Sequence, residues 1–152
     1  MDVSYVNPFI RATVDTFSTM IGTGAKPGKP HLKTEPYPSH DVSGIIGLSG
    51  DAQGSIAISF PRALSFKLVS KMLQTPIKVM GPELTDGIGE LANIIAGNAK
   101  QHFNGMNLSI SLPNVVVGKG HVLGVQKGIP TMVVPFESVL GEFAMEVTLK
   151  TK

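Results

Sequence analysis

The chain has 152 residues, 42% hydrophobic and 16% charged, with a formal charge of +2, no cysteine and no tryptophan. That length suits one domain with a sizeable core, and so small a net charge gives no electrostatic footprint for a nucleic-acid partner. Without cysteine, disulfides, thiolate metal sites and cysteine nucleophiles are excluded.

The N-terminal run MDVSYVNPFIRATVDTF has an early Asp and no basic region followed by a long apolar one, so it does not read as a signal peptide. No stretch of about 18 apolar residues is present, so membrane insertion is not expected. The expected setting is the cytoplasm. Asn7 to Ile21 reads as a helix, with Pro8 in its first turn and Phe9, Ile10, Val14, Phe17 and Ile21 on one stripe. Gly22 to Pro30 reads as a loop by composition. Strands are expected over Leu32–Tyr37, Ser43–Ser49 and Gly54–Phe60, the last two flanking the turn signal GDAQG. Pro61 opens a helix to about Leu73, with Leu64, Leu68 and Met72 on one face. Gly81-Pro82 opens a third helix with Glu83 in its first turn, running to about Phe103 before Asn104-Gly105. The rest reads as strands: Asn107–Ser111, Val115–Val117, Thr131–Glu137 and Glu142–Leu149.

Gly54–Phe60 and Gly141–Val147 share a period-two pattern, each as the second strand of a hairpin. Any two amphipathic strands look alike to this degree; the other reading is a duplicated helix-plus-hairpin unit. Either way, hairpins with helices on one face make an α+β fold around an antiparallel sheet. Several motif-like runs carry no chemistry. Gly22–Lys29 lacks the spacing of a phosphate loop, and Lys29 is followed by Pro30. Gly87-Ile88-Gly89-Glu90-Leu91-Ala92 fits GxGxxA, but Gly81-Pro82 precedes it where a dinucleotide fold needs a strand. His31, His40, His102 and His121 show no ligand spacing, and no metal site is expected in the chain.

The third helix is the unusual one. DGIGELANIIAGNAK, Asp86 to Lys100, carries three glycines and two asparagines, poor helix formers both. On a helical wheel Asp86, Glu90, Asn93, Gly97, Lys100 and Gln101 fall within about a third of a turn. Leu84, Ile88, Leu91, Ile95 and Ala99 lie opposite. A solvated stripe favours strong helix formers; a stripe that admits another surface has reason to carry Gly97, where a backbone can come close. Glu90 and Asn93, three apart, project toward one spot. Asn98 lies outside the stripe. Composition and spacing alone leave open a plain solvent-facing stripe with incidental asparagine.

Glu90-Leu91-Ala92-Asn93 within this run closely resembles the signature helix of the CheC/CheX/FliY phosphatases of bacterial chemotaxis. The order helix, strands, helix, long signature helix, strands is similar over nearly the whole chain. The family pattern is an Asp, then Glu-x-x-Asn, then a small residue and Asn; Asp86, Glu90, Asn93, Gly97 and Asn98 stand at the matching places. Only one such helix is present, as in the CheX-like branch. The resemblance implies hydrolysis of the aspartyl phosphate of a CheY-like response regulator, which supplies the Mg²⁺ and the phosphorylated Asp. It implies that Asn93 orients the attacking water and that Glu90 pairs with the receiver's lysine. Gly97 would admit the partner backbone, and Asp86 and Asn98 would contact the partner or brace the helix. A homodimer is also implied. The competing expectation is a non-catalytic adaptor or flagellar-switch-like module that docks the regulator without turnover.

Overall fold

The computed structural model describes residues 3–35, 38–118 and 129–151. It is an α+β fold: three helices pack on one antiparallel eight-stranded sheet. Helix α1 spans Asn7–Thr16 and continues as a π turn, Phe17–Ile21, closed by Gly22 at φ 77°. Strands β1 (Lys26–Pro27) and β2 (His31–Leu32) follow, then the hairpin β3 (Val42–Gly50) and β4 (Ala52–Phe60). Helix α2 is Arg62–Leu73 and α3 is Pro82–Lys100. Short strands β5 (Leu108–Ile110) and β6 (Asn114–Val117) precede the second hairpin, β7 (Thr131–Ser138) and β8 (Gly141–Thr151).

The two hairpins meet at the centre of the sheet through β4 and β8. Each outer hairpin strand is then edged by two short strands: β1 and β2 on β7, β5 and β6 on β3. The short strands before one hairpin therefore edge the other. The residue match between the hairpins slips, because Gly141 opens β8 whereas Gly54 is the third residue of β4. A slip of two keeps the alternation in phase, so the shared pattern survives it.

Alternation decides the faces. Val42, Ile46 and Leu48 of β3, Ile56, Ile58 and Phe60 of β4, and Phe143, Met145, Val147 and Leu149 of β8 point toward the helices and form one core with them. Phe143 is its hub, with ring centroids 4.6 Å from Phe17, 4.9 Å from Phe136 and 5.3 Å from Phe60. All five residues placed on the apolar side of α3 are buried. Gly44 is where α3 crosses the sheet: a Cβ there would lie 2.9 Å from the Ala92 Cβ.

The expected strand over Leu32–Tyr37 is shorter, forming only His31–Leu32, and Pro36 and Tyr37 fall outside the described residues, as does His121. The loop expected over Gly22–Pro30 contains β1. Two-residue strands carry no periodicity of their own; their pairing with β7 makes them strands. No described helix is long and apolar enough to cross a membrane.

Candidate functional site

Helix α3 begins with Gly81 extended and Pro82 in the first turn, carries Glu83 near its N-terminus and Lys100 in its last turn. Pro82, Glu83 and Lys100 each favour a helix of this polarity. Its three glycines do two different things. A Cβ on Gly87 would lie 2.7 Å from a Val69 methyl, so Gly87 lets α2 close onto α3. A Cβ on Gly89 would meet Pro113 Cγ and Val115 Cγ2 at 3.3 Å, so Gly89 seats the β5–β6 segment against the helix. At Gly97 only Ile110 Cδ1 comes near, at 4.0 Å, so internal packing does not require glycine there.

Thr85, Gly89, Asn93 and Gly97 form one four-apart row along α3, and the β5–β6 segment runs beside that row. Between helix and segment lies an open cleft of about 520 Å³, lined by Thr85, Asp86, Gly89, Glu90, Asn93, Pro113, Asn114 and Val115. Asp86 and Glu90 are exposed at the cleft and Asn93 is half-buried in it. The lining holds two carboxylates and no cation. Among the described residues the ion pair is Lys33–Glu146, so neither carboxylate is paired there. The Thr85 hydroxyl is engaged by the helix itself, donating to the Pro82 carbonyl at 3.2 Å. The cleft thus presents two carboxylates and two neutral amides, Asn93 and Asn114, the carboxylates fit to pair with a cation and the amides both to donate and to accept.

Asn98 is not part of the lining. Its amide Nδ2 donates to Thr16 Oγ1 at 3.0 Å, joining α3 to the end of α1. The other wall, Pro113 to Val115, has no signal in the linear sequence, because it becomes part of a site only by lying against Gly89. The three described histidines stay apart from the cleft. His31 and His102 do not line it, and His40 sits on the far side of the sheet beside Ser59. No group of three His, Asp or Glu residues among those described could hold a metal ion.

The comparisons with known proteins bear on this fold and cleft together. The family profile "Chemotaxis phosphatase CheX" matches residues 42–137, which include α3 and the opposite wall. The CheY-P phosphatase CheX of Thermotoga maritima is 32% identical over 122 residues, covering 78% of this chain and 79% of its own. The crystal structure of the chemotaxis protein CheX from Desulfovibrio desulfuricans superposes with a TM-score of 0.89 at 32% identity, covering 97% of this chain and 99% of that one. A CheX–CheY–BeF₃–Mg²⁺ complex from Borrelia burgdorferi matches at a TM-score of 0.79 and 26% identity, over 98% and 99% of the two chains. The fold is that of a chemotaxis phosphatase class. The chain belongs to the CheX family of chemotaxis phosphatases.

Proposed function

We propose that this chain hydrolyses the aspartyl phosphate of a CheY-like receiver domain, with Asn93 holding the attacking water and Glu90 docking the receiver. One observation carries the reading: Glu90 and Asn93 share an open cleft, and neither side chain has a hydrogen-bond partner among the described residues. The Asn93 amide accepts from the water and donates to a phosphoryl oxygen, which holds the water in line. The water oxygen bonds to phosphorus as the bond from phosphorus to the receiver's carboxylate oxygen breaks. Aspartate and inorganic phosphate result, and the water's proton leaves with the phosphate. Catalysis of this kind is positioning and charge stabilisation, and it requires no covalent intermediate on the phosphatase. The Mg²⁺ belongs to the receiver, where it neutralises charge on the phosphoryl oxygens.

Glu90 pairs with the receiver's lysine, a charge-assisted contact that fixes register. Asp86 places a second carboxylate at the same cleft, and Gly97 leaves the end of the row open to the partner backbone. Asn98 serves binding by bracing α3 on α1. Asn93→Ala is expected to lower the maximal dephosphorylation rate about a hundredfold while a BeF₃-loaded receiver still binds. An unchanged rate would overturn the positioning role. A wild type that binds but never accelerates phosphate loss would leave only an adaptor.

The same reading includes a homodimer acting in the cytoplasm. The β5–β6 edge flanks the cleft, so pairing across a two-fold falls to the β1–β2 edge, where Leu32 is 58% exposed. Short edge strands leave unpaired backbone groups that an isologous contact would bury. Light scattering at micromolar concentration is expected to give twice the chain mass, and one receiver per chain at saturation. A monomer sinks the dimer, and one receiver per two chains sinks the independence of the sites.

A further inference from the structure

We propose that the β5–β6 turn is a second docking wall for the receiver, with Leu112 as its apolar anchor and Asn114 as its polar contact. The inference rests on the phosphatase reading above and goes beyond the signature helix. Leu112 is 87% exposed, and it directly precedes Pro113, which lines the cleft. A single exposed leucine is ordinary. What sets this one apart is how firmly the chain holds it out. The Ser111 N–H donates to the Gly47 carbonyl at 2.9 Å. The Ser111 hydroxyl accepts from the Gly47 N–H at 2.8 Å and donates to the Leu112 carbonyl at 2.8 Å. The ring of Pro113 fixes its own φ and restricts Leu112 to extended conformations. Pro113 and Val115 in turn rest against α3 where Gly89 has no side chain.

The leucine is therefore presented on a rigid support, two residues before Asn114, which lines the cleft with Glu90 and Asn93. A pre-organised apolar side chain beside a polar cleft loses little freedom on binding and buries its full surface. The occupant follows from continuity. A partner that brings its phosphoryl group to Asn93 enters between α3 and this turn, so it covers Leu112 at the same time. Contacts on α3 read the receiver's reacting groups, which receivers share. Contacts on the turn fall on the receiver's surrounding surface, where receivers differ. The wall therefore adds affinity and sets the choice among receivers, while Asn93 on α3 sets rate.

Leu112→Ser, Leu112→Met and Asn114→Ala test this with two measurements against a CheY-type receiver. One is equilibrium binding of the receiver loaded with BeF₃ and Mg²⁺. The other is the rate of phosphate loss as a function of receiver concentration. Leu112→Ser is expected to raise both Kd and the half-saturating concentration about tenfold, and Asn114→Ala about threefold, with the loss in affinity and not in maximal rate. Leu112→Met, which keeps the apolar bulk, is expected to stay within about twofold of wild type. Asn93→Ala should show the opposite split. If Leu112→Ser binds like wild type, or if Leu112→Met loses as much as Leu112→Ser, the wall is wrong while the α3 reading stands. If wild type binds without turnover, the phosphatase reading fails and the binding arm still decides the wall. A wild type that binds no receiver overturns both.

Discussion

Glu90 and Glu146 stand on opposite sides of the sheet, and the chain treats them in opposite ways. Glu90 is exposed on α3 and has no ion-pair partner among the described residues. Glu146 is 4% exposed on β8 and gathers three donors. Lys33 Nζ pairs with one oxygen, while the Ser39 N–H and hydroxyl reach the other at 3.1 and 3.2 Å. Around it the Ser43 hydroxyl donates to Ser59 at 3.1 Å, and Ser59 bonds both the N–H and the carbonyl of His40. Lys33, Ser39 and His40 are thereby tied down over the face of the sheet that the helices leave uncovered. A buried carboxylate is tolerated only with its hydrogen bonds satisfied, so the chain spends its own donors there. The carboxylate left without them here is Glu90, the one proposed above to pair with the receiver's lysine.

The largest expected effect breaks the buried side of this comparison. Glu146→Ala strands the Lys33 ammonium, whose side chain is 11% exposed, and frees the Ser39 donors. Removing one partner of a buried pair is expected to lower the unfolding free energy by about 3 kcal/mol. Glu146→Gln keeps one acceptor oxygen for Ser39 and is expected to lose less. Urea titration measures both. The rate of phosphate loss under native conditions should not change, because the cleft lies across the sheet. A loss below about 1 kcal/mol for Glu146→Ala would mean that this network behaves as a surface pair.

The same contrast shows what was readable in the sequence. The α3 stripe was legible because helix geometry turns spacing into a face without knowledge of the rest of the fold. The polar face that carries Glu90 and Asn93 and the five buried residues opposite follow from the period alone, whereas the choice of that pair as a site comes from its resemblance to the signature helix. The long strands were legible for the same reason, to within two residues at their ends. Glu146 was not, because alternation says only that it points away from the helices. Its burial comes from Lys33 and Ser39, more than a hundred residues earlier in the chain. Pro113 to Val115 and the bond from Asn98 to Thr16 were hidden for that reason too. Of the three glycines on α3, only Gly97 was assigned to approach by another backbone. Gly87 and Gly89 prove to be packing positions, a distinction that depends on Val69 and Pro113 lying where they do.

Breaking the exposed side should cost affinity and leave stability alone. Glu90→Ala is expected to weaken receiver binding about tenfold, close to 1.4 kcal/mol, with a change in unfolding free energy within about 0.5 kcal/mol. Its maximal rate should stay near that of wild type. Glu90→Lys should bind more weakly still, since it sets a cation against the receiver's lysine. Titration with the BeF₃-loaded receiver and saturation kinetics together separate the two parameters. A normal half-saturating concentration with a reduced maximal rate would exchange the roles assigned to Glu90 and Asn93.

The smallest effect sharpens the buried side through His40. Burial lowers the pKa of His40 from the usual 6.5, against the opposing pull of Asp41, Glu142 and Glu146. The folded state therefore holds the ring neutral at a pH where the unfolded chain already binds a proton. Stability rises with pH wherever the unfolded state binds more protons. This contribution is thus fully present above about pH 6.5, is lost as pH falls through that value, and levels off below the folded pKa. His40→Gln removes the titration and keeps the backbone groups that bond Ser59. Unfolding free energies of wild type and His40→Gln, measured between about pH 5 and 8, are expected to differ in slope below 6.5 and to run parallel above it. Identical slopes would mean that the ring titrates alike in both states. A slope of the opposite sign would mean that the three carboxylates outweigh burial, and that the region around Glu146 holds a cationic His40 beside Lys33.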